Sequence, residues 1–326
     1  MKGRTALVTG AHGFAGAWLA KALLAEGARV VGYDLGKPRL SGLALQGIED
    51  QVADVEGDLL DGELLGQVLR QHGADSVFHL AAQTIVGAAN VSPLPTFEAN
   101  VRGTWTLLEA CREAGVERIV VASSDKAYGA HEALPYREDA PLQPSYPYDA
   151  SKAAADLIAR SYWHTYELPV AVTRFANLYG GGDLNFSRLI PEAVSAVIDG
   201  RRPVLRSDGS PERDFLYVED AARAYIAIAG ALDDGSARGE AFNAGAGRPY
   251  SVREVVEAVC RVSGTEVEPD IQGTGNPKGE IDRQYLDSTK IGEVCDWRPQ
   301  VDLEEGLRRT LEWYRAHPEA RAPAPP

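Results

Sequence analysis

The chain has 326 residues, of which 25% are charged and 44% hydrophobic, and its formal net charge is −14. That excess of acid argues against nucleic acid and anionic membranes as partners, and the sequence has no apolar run near the ~18 residues that a membrane span needs. Three cysteines, Cys111, Cys260 and Cys295, lie far apart, which excludes a disulfide framework or a C-x-x-C metal site and fits a reducing cytoplasm.

Arg4–Thr9 reads as a short apolar strand that leaves no room before it for a signal peptide. Gly10-Ala-His-Gly13-Phe14-Ala-Gly16 follows, then a helix to about Glu26 with Gly27 as its stop. Ala28–Asp34 is the next strand and ends on an acid. Strand, glycine turn, helix, strand and Asp make up one dinucleotide-binding βαβ unit. The glycines allow a tight turn and close approach to a pyrophosphate, and the helix N-terminus receives the phosphates. Asp34 would accept from the adenosine ribose hydroxyls and repel a 2′-phosphate, which selects NAD over NADP.

The alternation continues through a strand at Gln51–Glu56, Gly57-Asp58-Leu59, a helix at Asp61–His72 and a strand at Ser76–Leu80. Ala81, Ala82 and Gln83 come at that strand's carboxyl end, where open α/β sheets hold ligands. His79, inside an apolar strand, reads as a packed core residue. A long helix is expected over Ser92–Ala114, closed by Gly115. The strand Glu117–Ala122 then delivers Ser123–Lys126 to the same rim, and Tyr148–Tyr166 (helix) and Leu168–Phe175 (strand) follow. The pattern implies an α/β fold with a doubly wound, parallel, Rossmann-like sheet over residues 1–176.

Past Asn177 the alternation breaks. Helices are expected at Phe186–Asp199, Glu219–Leu232, Ser251–Ser263, Thr289–Cys295 and Glu304–His317, with a short strand at Pro203–Leu205. Residues 177–316 are read as mainly a smaller cap over the sheet's carboxyl edge, with segments around 203–240 returning to the first domain. Residues 317–326 are read as a disordered tail.

Between Ser123 and Lys152 the chain gathers a hydroxyl (Ser124), a carboxylate (Asp125), an amine (Lys126), a phenol (Tyr148) and a second amine (Lys152). Tyr148 and Lys152 share a helix face one turn apart, and an ammonium there favours the phenolate and lowers its pKa toward neutrality. Such a phenol can act as a general base on a sugar or alcohol hydroxyl. The alternative for Asp125 and Lys126 is an ordinary solvated pair on a strand, pointing to opposite faces.

Ordered motifs then identify a family resemblance. They are T-G-x-x-G-F-x-G at the N-terminus, H-L-A-A at 79–82, Asn100, S-S-x-x-x-Y-G at 123–129 and Y-x-x-x-K at 148–152. R-x-x-N-x-Y-G at 174–180 and R-D-F-L-Y-V-E-D at 213–220 complete the set. From about Thr5 to Leu311 the chain resembles the extended short-chain dehydrogenase/reductases that act on nucleotide sugars. The resemblance implies bound NAD, with Asp58, Leu59, Leu80, Asn100, Ser123, Tyr148 and Lys152 joining the glycine turn around it. It also implies a homodimer joined through a four-helix bundle made by the helices of Asn100 and of Tyr148–Lys152.

Within the family, Asp125-Lys126 after Ser124 is most similar to the 4,6-dehydratases, and with G-G-G-D and R-L-I-P to the CDP-glucose branch. The R-D-F-L-Y-V-E-D segment is more similar to dTDP- and UDP-sugar members, so the nucleotide base stays open. The resemblance assigns Tyr148 as base on the 4-hydroxyl, Ser124 as its hydrogen-bond partner and Lys152 to the nicotinamide ribose. Asp125, kept protonated by burial, is the acid for the departing 6-hydroxyl. Lys126 is either the carbon-5 base or an electrostatic aid. Asn177, Arg188, Arg206, Arg213 and Arg283 are the candidates for the sugar diphosphate. A 4-epimerase and a non-catalytic NAD-binding sensor are the other readings.

Overall fold

The computed structural model describes residues 1–265, 267–275 and 281–321. β1 (Thr5–Thr9) is buried along its length and runs through the glycine turn into α1 (Phe14–Ala25). β2 (Arg29–Asp34), a short α2 (Gly42–Leu45), β3 (Val52–Glu56), α3 (Gly62–His72) and β4 (Ser76–His79) continue the alternation. α3 starts on Asp61, whose carboxylate accepts the Leu64 N–H, and stops on Gly73 at φ 61°. α4 (Val86–Val91), α5 (Pro93–Phe97), α6 (Gly103–Ala114), β5 (Arg118–Ala122), α7 (Pro147–Tyr166) and β6 (Val170–Phe175) follow.

The single helix expected over 92–114 is interrupted. Glu98–Arg102 forms a wide π turn between α5 and α6. The Thr104 hydroxyl donates to the Asn100 carbonyl at 2.6 Å, and the Asn100 side chain is drawn inward to the loop after β4. π turns of this kind occur frequently at functional sites.

β7 (Asn177–Tyr179), α8 (Leu189–Ile198), β8 (Val204–Leu205), β9 (Glu212–Arg213) and β10 (Phe215–Tyr217) lead into α9 (Val218–Ala231). β11 (Ala241–Ala244), β12 (Tyr250–Ser251), α10 (Val252–Ser263), β13 (Asp270–Ile271), β14 (Arg283–Gln284), α11 (Thr289–Cys295) and α12 (Leu303–Ala316) come last. α8 begins at Leu189 and not at Phe186. Side chains of Asp183 and Asn185 accept the N–H groups of Asn185 and Ser187 and hold that stretch as turns.

Among the described residues, seven parallel strands form the main sheet in the order β11-β6-β5-β4-β1-β2-β3. This is a doubly wound, Rossmann-like α/β fold. α1 packs on α9 on one face, and α3 on α6 on the other. The strand order reverses between β1 and β4, which opens a ligand crevice at their carboxyl ends. Small two- and three-stranded sheets from β7–β10 and β12–β14 form the smaller lobe with α8, α10 and α12.

The stretch read as a disordered tail divides in two. Pro318–Ala320 forms a 3₁₀ turn with Ala320 buried, and Arg321 pairs with Asp199 at 3.2 Å. The turn is held by the burial of Ala320 and by that ion pair. Residues 322–326 lie outside the described residues. Among the described residues no helix is long and apolar enough to cross a membrane.

Candidate active site

The glycine turn sits at the reversal point of the strand order. Gly10 has φ +75°, and a Cβ there would lie 2.8 Å from the Ala81 nitrogen. A Cβ at Gly16 would lie 2.1 Å from the Gly10 carbonyl oxygen. Neither position accepts a larger residue without moving backbone. Gly13 caps α1, whose first turn, described throughout, has no acid and no side-chain cap, so its N–H groups stay available to an anion. Phe14 is half-buried at the first helical position. Asp34 ends β2 and accepts the His12 N–H at 3.1 Å and the Leu35 N–H at 3.2 Å. Burial pushes its carboxyl up, against the His12 N–H. Asp58 is exposed beside buried Leu59 and accepts the Leu60 N–H. A bare helix N-terminus, a backbone cradle that a Cβ would fill and an acid at the second strand's end fit the pyrophosphate and ribose of NAD.

His12 was not singled out in the sequence. It is buried, with Nδ1 2.6 Å from Ser41 Oγ and Nε2 3.0 Å from Asp54. It ties the glycine turn to β3 and to the start of α2. Its only local signal is an imidazole between two turn glycines.

Leu80, Ala81, Ala82 and Gln83 form the loop after β4. Asn100 is buried, accepts the Gln83 N–H at 2.7 Å, and donates to Gln83 O and to Ser151 Oγ. Both its N–H groups are thereby used inside the protein, so Asn100 fixes the loop against α7. His79 is also buried. The Thr104 hydroxyl is spent on Asn100 O and so accepts from His79 Nε2–H, which leaves Nδ1 to accept from the Thr9 hydroxyl. Burial, with Lys152 adding, pushes this imidazole down to about 3, so it is neutral and structural.

Asp125 and Lys126 lie on a 3₁₀ turn, Asp125–Tyr128, and not on a strand. Ser124 caps this turn: its hydroxyl accepts the Lys126 N–H at 3.3 Å and donates to Asp125 at 3.1 Å. Asp125 is 2% exposed, and its Oδ2 has no hydrogen-bond partner among the described residues. Burial pushes its carboxyl up, while Lys126, Ser124 and Arg213 oppose. Lys126 is half-buried. The alternative of a solvated pair therefore fails for the acid.

Tyr148 and Lys152 are both buried on α7. The expected lowering of the phenol is not what its surroundings supply. Burial pushes Tyr148 up, and the charges of Asp125 and Asp149 add to this. Arg188 and a hydrogen bond with Ser124 oppose it. Lys152 is itself pulled down to about 8 by burial, and its Nζ donates to Ala122 O at 2.9 Å. Ser123 Oγ donates to Lys152 O and ties β5 to the same helix.

With this geometry in place, comparison with known proteins gives the lineage. A family model described as GDP-mannose 4,6 dehydratase matches residues 7–310. The chain belongs to that family. It is 36% identical to a UDP-glucose 4-epimerase of Mycolicibacterium smegmatis over 95% of this chain and 98% of that one. It is 34% identical to a dTDP-glucose 4,6-dehydratase of Streptomyces griseus over 95% and 94%. A dTDP-glucose 4,6-dehydratase from Streptomyces venezuelae, solved with NAD bound, superposes with a TM-score of 0.87 at 34% identity, covering 98% of this chain and 99% of that one. The chain thus falls in the superfamily of nucleotide-sugar 4,6-dehydratases and 4-epimerases.

The basic residues of this family member do not converge equally. Arg188 pairs with buried Asp183 at 2.9 Å and acts on the Tyr148 phenol. Arg213 is 8% exposed, donates to Glu212 O and acts on Asp125. β14 pairs in register with β9, with Gln284 beside Arg213 and Arg283 beside Glu212. Alternate residues face opposite sides of a strand, so Arg283 lies on the far side from Arg213, where it binds Glu212 at 2.5 Å. Arg206 is exposed and acts on Glu192 of α8. Asn177 donates to Asp214 O at 3.2 Å. Asp214, which the sequence reading passed over, is fully buried and accepts N–H groups from Ala246, Gly247 and Leu286. Burial pushes it up to about 7 despite those bonds.

Proposed function

We propose that this chain is an NAD-dependent nucleotide-sugar 4,6-dehydratase that makes an NDP-4-keto-6-deoxyhexose. The observation that carries the reading is Asp125. It is a buried carboxyl with one bare oxygen, biased toward its protonated form, on the turn capped by Ser124 and followed by Lys126. An epimerase has no step that needs such an acid, whereas loss of water across carbons 5 and 6 does.

NAD, when bound, supplies the hydride acceptor for carbon 4 and the hydride donor for carbon 6. Tyr148 takes the 4-hydroxyl proton, and Ser124 hydrogen-bonds the same oxygen. Lys152, on the same helix face, holds the nicotinamide ribose. Asp125 gives its proton to the departing 6-hydroxyl. Lys126 acts on the carbon-5 position, as base or as a charge that stabilises the enolate. Arg188, Arg213 and Asn177 are the best-placed groups for the sugar diphosphate. The exposed Arg206 and Glu212-bound Arg283 are weaker candidates. Gly10, Gly13, Gly16 and Asp34 hold the cofactor's adenosine diphosphate.

A second copy of the chain is the proposed protein partner. Phe97, Trp105, Leu157 and Tyr166 are 38%, 42%, 57% and 55% exposed on α5, α6 and α7, and this face fits a four-helix bundle.

The 4-epimerase reading has its own support in the 36% identity to a UDP-glucose 4-epimerase. The deciding experiment incubates the protein with CDP-, dTDP-, UDP- and GDP-hexoses and follows product mass. Loss of one water supports the dehydratase. Unchanged mass with altered stereochemistry at carbon 4 supports the epimerase and refutes the first reading.

A further inference from the structure

We infer that Tyr128, held by Arg174 and Asn243, is a positioning residue that sets the acid turn for the elimination step. The inference rests on the dehydratase reading. Tyr128 is the last residue of the 3₁₀ turn that carries Asp125 and Lys126, and it is fully buried. Its phenol is fixed on both sides. It donates to Asn243 Oδ1 at 2.8 Å and accepts from Arg174 Nη1 at 3.0 Å. Arg174 and Asn243 are register partners on β6 and β11, so two neighbouring strands deliver these side chains to one oxygen.

Arg174 does more than hold the phenol. Its Nε and Nη2 form a two-point ion pair with Asp156 at 2.7 and 3.0 Å, and both residues are at most 1% exposed. Asp156 lies one helical turn beyond Lys152 on α7. One guanidinium therefore joins the helix of Tyr148 and Lys152 to the turn of Asp125 and Lys126. A buried two-point pair of this kind has a fixed geometry, because any rotation leaves a charge unpaired. The Arg174 guanidinium also stacks over the Tyr128 ring at 5.0 Å. The phenol's donor and one of its acceptor positions are both taken by protein groups, so its bonds serve the fold of the turn. The oxidation at carbon 4 uses groups on α7 and Ser124, which caps the turn. The elimination uses Asp125 and Lys126, so slack in the turn falls on that step.

Tyr128→Phe keeps the ring and removes the oxygen. Amide hydrogen exchange of residues 125–129 is expected to quicken by about tenfold or more, with α7 protection unchanged. Product turnover is expected to fall by about tenfold or more, while the single-turnover rise in NADH absorbance changes by less than about threefold. Arg174→Lys keeps a charge for Asp156 but loses the branch that reaches Tyr128. Where it folds, it is expected to show the same split. Unchanged exchange in Tyr128→Phe, or a proportional fall of oxidation and product, overturns the inference. Failure of the parent protein to lose water from any nucleotide hexose overturns the dehydratase reading by itself, and with it the elimination role.

Discussion

Lys152 Nζ donates to the carbonyl oxygen of Ala122 at 2.9 Å, so the buried amine closes the end of the strand that leads to the acid turn. Burial lowers it from its ordinary 10.5 to about 8. Between those values the unfolded chain holds a proton that the folded chain has released. Stability from this group therefore rises as pH climbs through that window, and the full cost of the buried charge is felt below about 8. Lys152→Met is expected to be more stable than the parent at pH 7, by up to roughly 3 kcal/mol, less the cost of the unpaired carbonyl. Urea unfolding of the cofactor-free proteins at neutral and high pH checks this. A gap that widens with pH would refute the assignment.

The proposed role of Asp34 is to set cofactor preference. The protein is expected to bind NAD more tightly than NADP, and Asp34→Ala to lose most of that preference, a change of about tenfold or more. Titration calorimetry with both cofactors reads it. Tighter NADP binding by the parent would contradict the role.

Asp125→Asn keeps size but cannot deliver a proton as an acid, and Lys126→Met keeps length without the amine. In both, carbon 4 is expected to be oxidised and NADH to accumulate on the protein. The 6-deoxy product is expected to fall by ~10²-fold or more, as general acid–base losses do. For Lys126→Met, exchange of the carbon-5 proton with solvent deuterium also falls if the amine is the base. Wild-type product rates in both variants would sink the dehydratase reading.

The exposed Trp105 and Leu157 give the oligomer test. A charge in place of either apolar side chain is expected to weaken self-association, so that Trp105→Asp or Leu157→Asp sediments as a monomer at micromolar concentration. Thermal stability of the isolated subunit should change little. A parent protein that is itself monomeric at that concentration would remove the proposed partner.

The main sheet was legible because its evidence is local. Buried parallel strands such as Thr5–Thr9 read as apolar runs, and Gly10, Gly16 and Asp34 keep fixed spacings along one βαβ unit. The partners that tune the site were not legible, because they meet across long stretches of chain. His12 and Asp54 are 42 residues apart, and Tyr128 and Asn243 are 115 apart. The π turn at Asn100 depends on the Gln83 loop, which no helical periodicity encodes. The direction of the shift on Tyr148 was not legible for the same reason. Helical spacing placed Lys152 beside it, but burial and the distant charges of Asp125 and Arg188 decide its proton affinity.

β11 has a consequence for the order in which the molecule can be made. Its four residues, Ala241–Ala244, cover the outer edge of β6, yet they follow the first half of the cap in the chain. During synthesis β6 emerges long before its neighbour exists, and its edge N–H and C=O groups stay unpaired until then. Asn243, which holds the Tyr128 phenol, arrives on that same late strand. The nascent chain therefore cannot finish the floor of its active site before the first half of the roof has been translated, and removing the cap together with β11 would also remove the last plank of the sheet.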